Sequence, residues 1–253
     1  MKYYQQFAKM GIFSLQDAIR TIGNEENAKK DLASMIKRGL LYRIRKNLYS
    51  TQSLTSNEDL ASNFSIACNV SDSCFLAYHS AFEFYGCYNQ VYNEIQACSL
   101  NRVLDFEYKG TRYHFFKSAY QKQIEEVENI KITSIERTIV DSINMVGKVI
   151  DLEELVKCIE LVSHVDENKL KEMLLEYNKD ILYRKTGYVL SFFKDELGIH
   201  DDFFEFCKNN SNNDNVGYIS HNEYRELDYI NEWGIYAYKN LRTLSDKGES
   251  YNV

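Results

Sequence analysis

Four helix-boundary signals lie within the first forty residues and constrain the fold more than any other feature of the chain. Ser14, with Asp17 three residues later, has the capping-box pattern that begins a helix. Gly23 is the residue type that ends helices in a left-handed conformation, and Asn24 is a favoured N-cap for the helix that follows. Gly39 then ends that helix. Two helices joined by so short a turn are typical of a helix-turn-helix.

Apolar residues recur at helical spacing in three segments, 2–10, 14–22 and 25–38. The expected core positions are Tyr4, Phe7, Ala8, Met10, Leu15, Ala18, Ile19, Ile22, Ala28, Leu32, Met35 and Ile36. The three segments are therefore predicted to be helices that pack on one another.

The third helix has a polar, mostly basic face opposite its apolar stripe. Its side chains are Asn27, Lys30, Asp31, Ser34, Lys37 and Arg38, with Asn24 at the start of the helix. Amide, hydroxyl and cationic groups are those that a helix in the major groove uses on base edges and phosphates. We therefore predict that this face reads DNA, with Asp31 accepting from a cytosine amine or orienting a neighbouring lysine.

A predicted hairpin follows the third helix. The alternation places Leu40, Tyr42 and Ile44 on one side and Leu41, Arg43 and Arg45 on the other. Lys46 and Asn47 make the turn, because asparagine tolerates positive φ, and Leu48 and Tyr49 begin the return strand. A hairpin in this place is a wing, whose predicted DNA contacts are Arg43, Arg45, Lys46 and Asn47.

The charge distribution supports a basic domain joined to an acidic one. The whole chain of 253 residues has a net charge of −7, which alone argues against binding nucleic acid. Residues 1–57, however, contain ten Lys and Arg against four Asp and Glu, a net of +6, and the remainder has −13. We predict a winged helix-turn-helix over 1–57, a larger mixed α+β domain over 58–245 and a flexible tail over 246–253.

The larger domain contains strand and helix patterns in separate runs, which favours the α+β class. The predicted elements are a connecting helix in 56–68, a strand and helix in 72–86, strands in 92–100, 103–108, 111–116 and 128–133, helices from 134, 152, 170 and 180–197, a loop at 209–215, and strands near 216–220 and 234–238. Lys109-Gly110 is the predicted hairpin turn, and Thr133 with Glu136 is the predicted cap of the helix that follows.

Several segments resemble the AbiEi antitoxins of bacterial abortive-infection, type IV toxin–antitoxin systems. They are FSLQDA at 13–18, KDLASMIKRGLLYRIRKNLYS at 30–50, AYHSAFEFYG at 77–86, ITSIERTIVDSI at 132–143 and INEWGIYAYKNL at 230–241. The resemblance implies a DNA-binding autorepressor that binds its own promoter at repeated half-sites. It also implies an antitoxin that counteracts a nucleotidyltransferase-like toxin encoded alongside, through its carboxy-terminal region and often without a stable complex.

The chain departs from this family at two positions. Family wings often carry an arginine-glycine turn where this chain has Lys46-Asn47, and a common arginine of the reading helix is Ser34 here. DNA binding is expected to survive both changes, but the operator sequence does not carry over.

Two alternatives remain open for the function. One is a protein-interaction module whose winged helix has lost DNA binding. The other is an Mg²⁺-dependent nuclease, since Asp105, Glu107 and Lys109 resemble the acidic-x-Lys end of a restriction-type site. Such alternation is common on exposed hairpins, so a solvated strand face is favoured and no catalytic residue is predicted. His79 lies among aromatic residues and is interpreted as a core or interface histidine.

Composition argues against metal sites and membrane segments. None of the six cysteines forms a C-x-x-C pair, so they are interpreted as reduced, mostly buried side chains, and no metal or cofactor is expected. No stretch approaches about 18 consecutive apolar residues, and MKYYQQFAKMG lacks the apolar core of a secretory signal. The chain is expected in the cytoplasm.

Overall fold

The computed structural model describes residues 3–54, 59–212, 215–220 and 227–246. The chain divides into two compact units. Unit 1 comprises Met1–Leu76, Asn93–Ala119 and Glu126–Lys131, and unit 2 comprises Ala77–Tyr92, Tyr120–Glu125 and Ile132–Val253. The predicted boundary at 57/58 lies outside the described residues, as does the predicted tail beyond Asp246.

Unit 1 begins with a winged helix-turn-helix. Its elements are α1 (Tyr4–Met10), β1 (Ile12–Ser14), α2 (Leu15–Ile22), α3 (Glu25–Lys37), β2 (Leu41–Arg45) and β3 (Leu48–Thr51). The strands form an antiparallel sheet in the order β1-β3-β2. Strand β1 was not predicted, because three residues are too few to show a period, and it pairs Phe13 with the distant Tyr49.

The predicted helix-boundary signals of this domain are confirmed. The Ser14 hydroxyl accepts from the Asp17 backbone at 3.2 Å, and the Asp17 carboxylate accepts from the Ser14 backbone at 2.8 Å. Gly23 ends α2 with φ 91°, and the Asn24 side chain accepts from the Asn27 backbone at 3.0 Å. Of the expected core positions, Met10 is wrong, since its side chain is exposed.

The segments that follow the winged helix-turn-helix in unit 1 form most of a second β-sheet. The elements are α4 (Asn63–Cys68), β4 (Phe75–Leu76), β5 (Glu94–Ser99), β6 (Phe106–Tyr108), β7 (Thr111–Lys117), β8 (Ile124–Val127) and β9 (Ile130–Thr133), in the strand order β6-β7-β5-β4-β9-β8. The first two residues of β8 and the last two of β9 are assigned to unit 2. Strands β6 and β7 form the predicted hairpin, with positive φ at Lys109 and Gly110. Strand β8 was not predicted, and β5 pairs with β7 in parallel.

Unit 2 is mostly helical. Its further elements are α5 (Tyr78–Phe84), α6 (Ile135–Asn144), α7 (Leu152–Glu160), α8 (Glu167–Tyr177), α9 (Asp180–Ser191), α10 (Lys194–Leu197), α11 (Asp201–Asn209), β10 (Gly217–Tyr218), β11 (Asp228–Ile230), β12 (Ile235–Ala237) and α12 (Arg242–Asp246). The predicted helix over 180–197 is two helices, and β11 was not predicted.

The start of α6 corrects one prediction. Ser134, not Thr133, is the N-cap, and its hydroxyl accepts from the Arg137 backbone at 3.2 Å. Thr133 instead ends β9, and its hydroxyl lies 2.7 Å from that of Thr138. The direction of the chain as it leaves β9 decides whether the Thr133 or the Ser134 hydroxyl reaches the first turn of α6. The sequence alone does not show this direction.

Candidate nucleic-acid interface

Helix α3 separates an apolar face from a polar one. Ala28, Leu32 and Met35 are buried against the rest of the winged helix-turn-helix. The opposite face carries exposed Asn27, Lys30, Ser34, Lys37 and Arg38, with Asp31 half-buried. Five predicted reading residues therefore share one accessible helix face.

The amino end of α3 is close to electrically neutral. Glu25 pairs with Lys29 at 2.6 Å, and Glu26 pairs with Lys30 at 2.8 Å, each one helical turn apart. The hydrogen bond and charge of Lys29 hold the pKa of the Glu25 carboxyl below its ordinary value. The Asn24 side chain is occupied by the cap. This end therefore offers hydrogen-bonding groups more than net positive charge.

The carboxyl end of α3 and the wing turn hold positive charge without local compensation. Lys37, Arg38 and Lys46 are exposed and form no ion pair with any described residue. Arg43 is also exposed, and its Nε donates to the Arg45 carbonyl at 3.4 Å. We call these four residues, Lys37, Arg38, Arg43 and Lys46, the basic cluster.

The wing turn has the predicted asparagine geometry. Asn47 has φ 65°, and its carbonyl accepts from the Leu15 backbone at 2.9 Å, so the turn is fixed to the start of α2. A β-bulge lies between Arg43 and Arg45, and Leu41 and Ile44 are both buried. The predicted strict alternation is therefore wrong from Arg43 onward.

Arg45 differs from the other predicted contacts. Its guanidinium lies 4.9 Å from the centre of the Phe106 ring, which in turn stacks on Tyr113 at 4.6 Å. The side chain is half-buried. Of the ten predicted contacts, Arg45 is thus the one engaged with an aromatic ring of the β6–β7 hairpin.

A second contact of this kind involves residues that sequence analysis did not connect. Lys109 Nζ lies 3.6 Å from the centre of the Tyr42 ring and 3.2 Å from the Asp59 carboxylate. The Tyr108 hydroxyl donates to the same carboxylate at 2.9 Å. The wing and the β6–β7 hairpin are therefore joined by cation–π contacts between residues far apart in sequence, for which no local pattern exists.

The segment that contains α3 and the wing matches a known protein family. Residues 4–52 match the family described as transcriptional regulator, AbiEi antitoxin. This segment therefore resembles an AbiEi antitoxin domain. Its family consists of regulators and antitoxins, and the match confirms the resemblance inferred from the helix–wing segments. No curated protein matches the sequence.

A solved structure of another protein shares the fold of nearly the whole chain. The RV2827C protein from Mycobacterium tuberculosis superposes with a TM-score of 0.66, covering 93% of this chain and 89% of that one. The two sequences are 12% identical, so the likeness shows a shared fold. The segment similar to the AbiEi family is therefore followed by a larger α+β region, and the likeness in fold covers both.

The nuclease-like residues of the hairpin do not assemble a site among the described residues. Asp105 accepts from the Phe115 backbone at 2.9 Å, and Lys109 is held by Asp59 and Tyr42. Glu107 is exposed and lies across from Arg112 in the strand register. No third carboxylate joins Asp105 and Glu107 within metal-binding distance in the described segments. The arrangement is that of a solvated strand face.

One group of described residues in unit 2 has metal-binding chemistry. The ligand atoms of His79, Glu154 and Cys158 lie within 4.8 Å of one another, and all three residues are buried. Glu154 already accepts from Cys158 at 3.6 Å and lies 3.1 Å from the His79 ring nitrogen. Burial lowers the pKa of His79, opposed by Glu154. The group is self-consistent as a buried polar network, and His79 is the core histidine that was expected.

All six cysteines are free, and five are buried, as predicted. Within the described segments, no helix combines the length and apolar character needed to cross a bilayer.

Proposed function

We propose that the chain binds double-stranded DNA through α3 and the wing and represses its own promoter. The observation that carries the proposal is the basic cluster, four exposed cations at one end of α3 and on the wing, within a domain of a transcriptional-regulator family. Phosphate contacts of this kind supply affinity and fix the register of a DNA-binding domain. Asn27, Lys30 and Ser34 are the proposed readers of base edges.

The test is operator binding by fluorescence anisotropy on the chain's own promoter. The variant K37A/R38A/K46A removes three unpaired, exposed charges, whereas Lys30 is paired with Glu26 and Arg45 lies on Phe106. We expect binding to be lost at moderate salt. Any residual binding should depend less steeply on salt, by about 0.9 in logarithmic slope for each phosphate contact removed.

The control is K122A/K194A/K239A, which removes the same number of positive charges from three ion-paired lysines of unit 2. It should bind the promoter like the unaltered chain. Equal affinity of K37A/R38A/K46A and the unaltered protein, with normal folding of both, would contradict DNA binding through this surface and favour a protein-interaction module.

We further propose that the chain neutralises a nucleotidyltransferase-like toxin through its carboxy-terminal region. The AbiEi match over residues 4–52 supports an antitoxin role in general. Separate regions for the two roles predict that K37A/R38A/K46A loses repression of a promoter reporter but still restores growth to cells that express the toxin of the adjacent gene. Loss of both activities in a folded variant would show that neutralisation depends on DNA binding.

A further inference from the structure

Unit 2 contains a cavity of about 340 Å³ with three lysines in its lining. They come from two segments, Lys148 after α6, and Lys179 and Lys185 at the start of α9 and within it. Asn144 contributes an amide, and no carboxylate is among the lining residues described. A cavity of this size is in the range that holds small molecules, and its polar groups are mostly cationic.

Lys185 is the unusual member of this group. Its side chain is only 6% exposed, and it forms no hydrogen bond or ion pair with any described residue. The acidic residue of its own helix, Asp180, is paired instead with Arg184. Buried lysines are rare unless they are paired, because removing an ammonium group from water is costly.

The charge of Lys148 increases this cost. Burial, and then the charge of Lys148, lower the pKa of Lys185 to about 8. Lys148 is exposed and has no ion-pair partner among the described residues. Lys179 Nζ lies 3.4 Å from the Asn144 side chain and 5.2 Å from the centre of the Tyr177 ring. Because no described carboxylate lines the cavity, the like charges of its lysines raise the free energy of the empty site, and a bound anion would lower it.

The remaining walls are apolar and close-fitting. Ile181, Leu182, Val216 and the Tyr218 ring line the cavity. At Gly217 the backbone approaches α9 so closely that a Cβ would lie 2.1 Å from the Ile181 side chain. The cavity therefore combines cationic groups with an apolar wall that suits the carbon part of a small phosphorylated molecule.

We propose that this cavity binds the phosphate group of a small molecule, with Lys148, Lys179 and Lys185 as its cationic partners. Three ammonium groups and one amide match the acceptor oxygens of a phosphate. A nucleic-acid strand is a poorer fit, because Lys185 is enclosed and residues 58–253 have a net charge of −13. The site is distinct from the basic cluster, so its test is independent of DNA binding.

The test is isothermal titration calorimetry on the full chain with inorganic phosphate, AMP and adenosine as probes. We expect phosphate and AMP to bind and adenosine not to bind. Tighter binding of AMP than of phosphate would indicate a phosphate ester as the ligand, whereas equal affinities would indicate free phosphate. Either result supports the proposal.

Three variants separate a built site from general attraction. K185M should weaken phosphate or AMP binding about tenfold or more, since it removes a charge-assisted hydrogen bond. K148A should also weaken binding. Because Lys148 is exposed, this variant is expected to fold and can replace K185M in the test if K185M does not fold. K239M, which removes an exposed lysine outside the cavity, should have no effect. Absence of phosphate and AMP binding at about 10 mM, or undiminished binding in both K185M and K148A, would overturn the proposal.

Discussion

Two buried cations in unit 2 have opposite surroundings. Arg137 on α6 is fully buried, with its Nε 3.2 Å from the Asp141 carboxylate and a guanidinium nitrogen 3.1 Å from the Tyr120 carbonyl. Lys185 on α9 is 6% exposed and has no such partner among the described residues. The partners of Arg137 stabilise the folded chain without any ligand. The unpaired charge of Lys185 destabilises the folded chain until an anion is bound. This difference separates a structural cation from a candidate binding site.

The largest effect is expected at Arg137. The variant R137M leaves Asp141 buried, with the Tyr177 hydroxyl, 2.6 Å away, as its remaining hydrogen-bond partner among the described residues. Breaking a buried pair from one side costs about 3 to 5 kcal/mol, since the remaining charge stays uncompensated. Urea unfolding should show this loss. A change below about 1 kcal/mol would mean that the pair is not needed to hold α6.

Replacement of Lys185 should raise the free energy of unfolding, whereas replacement of Arg137 should lower it. K185M keeps the length of the side chain and removes an unpaired buried charge, so we expect the free energy of unfolding at pH 7 to rise by about 1 to 3 kcal/mol. The measurement is the same urea titration in phosphate-free buffer, with K239M as the control for loss of an exposed lysine. Destabilisation by K185M would show that the Lys185 ammonium group has a stabilising partner. It would contradict the contrast between an unpaired Lys185 and a paired Arg137.

The stability gap between K185M and the unaltered chain should depend on pH. Because the pKa of Lys185 is lowered from 10.5 to about 8 in the folded chain, the unfolded chain binds the proton more tightly between these values. The penalty is therefore complete below about pH 8 and is relieved as the pH rises toward 10.5. Between pH 7 and 9.5 the gap should narrow by about 2 kcal/mol. A constant gap would contradict a lowered pKa.

The winged helix-turn-helix was predictable because its signals are local. The Ser14–Asp17 capping box, the αL residue Gly23 and the N-cap Asn24 each act within a few residues, and all three were found as expected. The apolar stripe of α3 likewise followed from helical spacing alone. Burial of its inner face then fixes which side chains are exposed.

Features that depend on distant pairing were not predictable. Strand β1 exists because Phe13 pairs with Tyr49, and Arg45 is half-buried because Phe106 lies beneath it. Lys185 follows Arg184 in a polar stretch of α9, so its sequence context is that of an ordinary exposed helix residue. Its isolation appears only when α9, the segment after α6 and β10 are brought around one cavity. Sequence thus indicated the candidate DNA-binding surface but not the candidate phosphate site.

The smallest expected effect tests whether two of the cavity lysines act on each other. K148A removes an exposed side chain, so its effect on the free energy of unfolding should stay within about 0.5 kcal/mol. Yet the Lys148 charge is the second cause of the lowered pKa of Lys185, after burial. The pKa of Lys185 should therefore rise in K148A, and NMR titration of lysine labelled with ¹³C at Cε measures it directly.

The same titration in K239A should leave the pKa of Lys185 unchanged, because Lys239 lies outside the cavity lining. An unchanged Lys185 titration in K148A would mean that the two charges do not share one site, and the phosphate would then lose one of its three proposed partners.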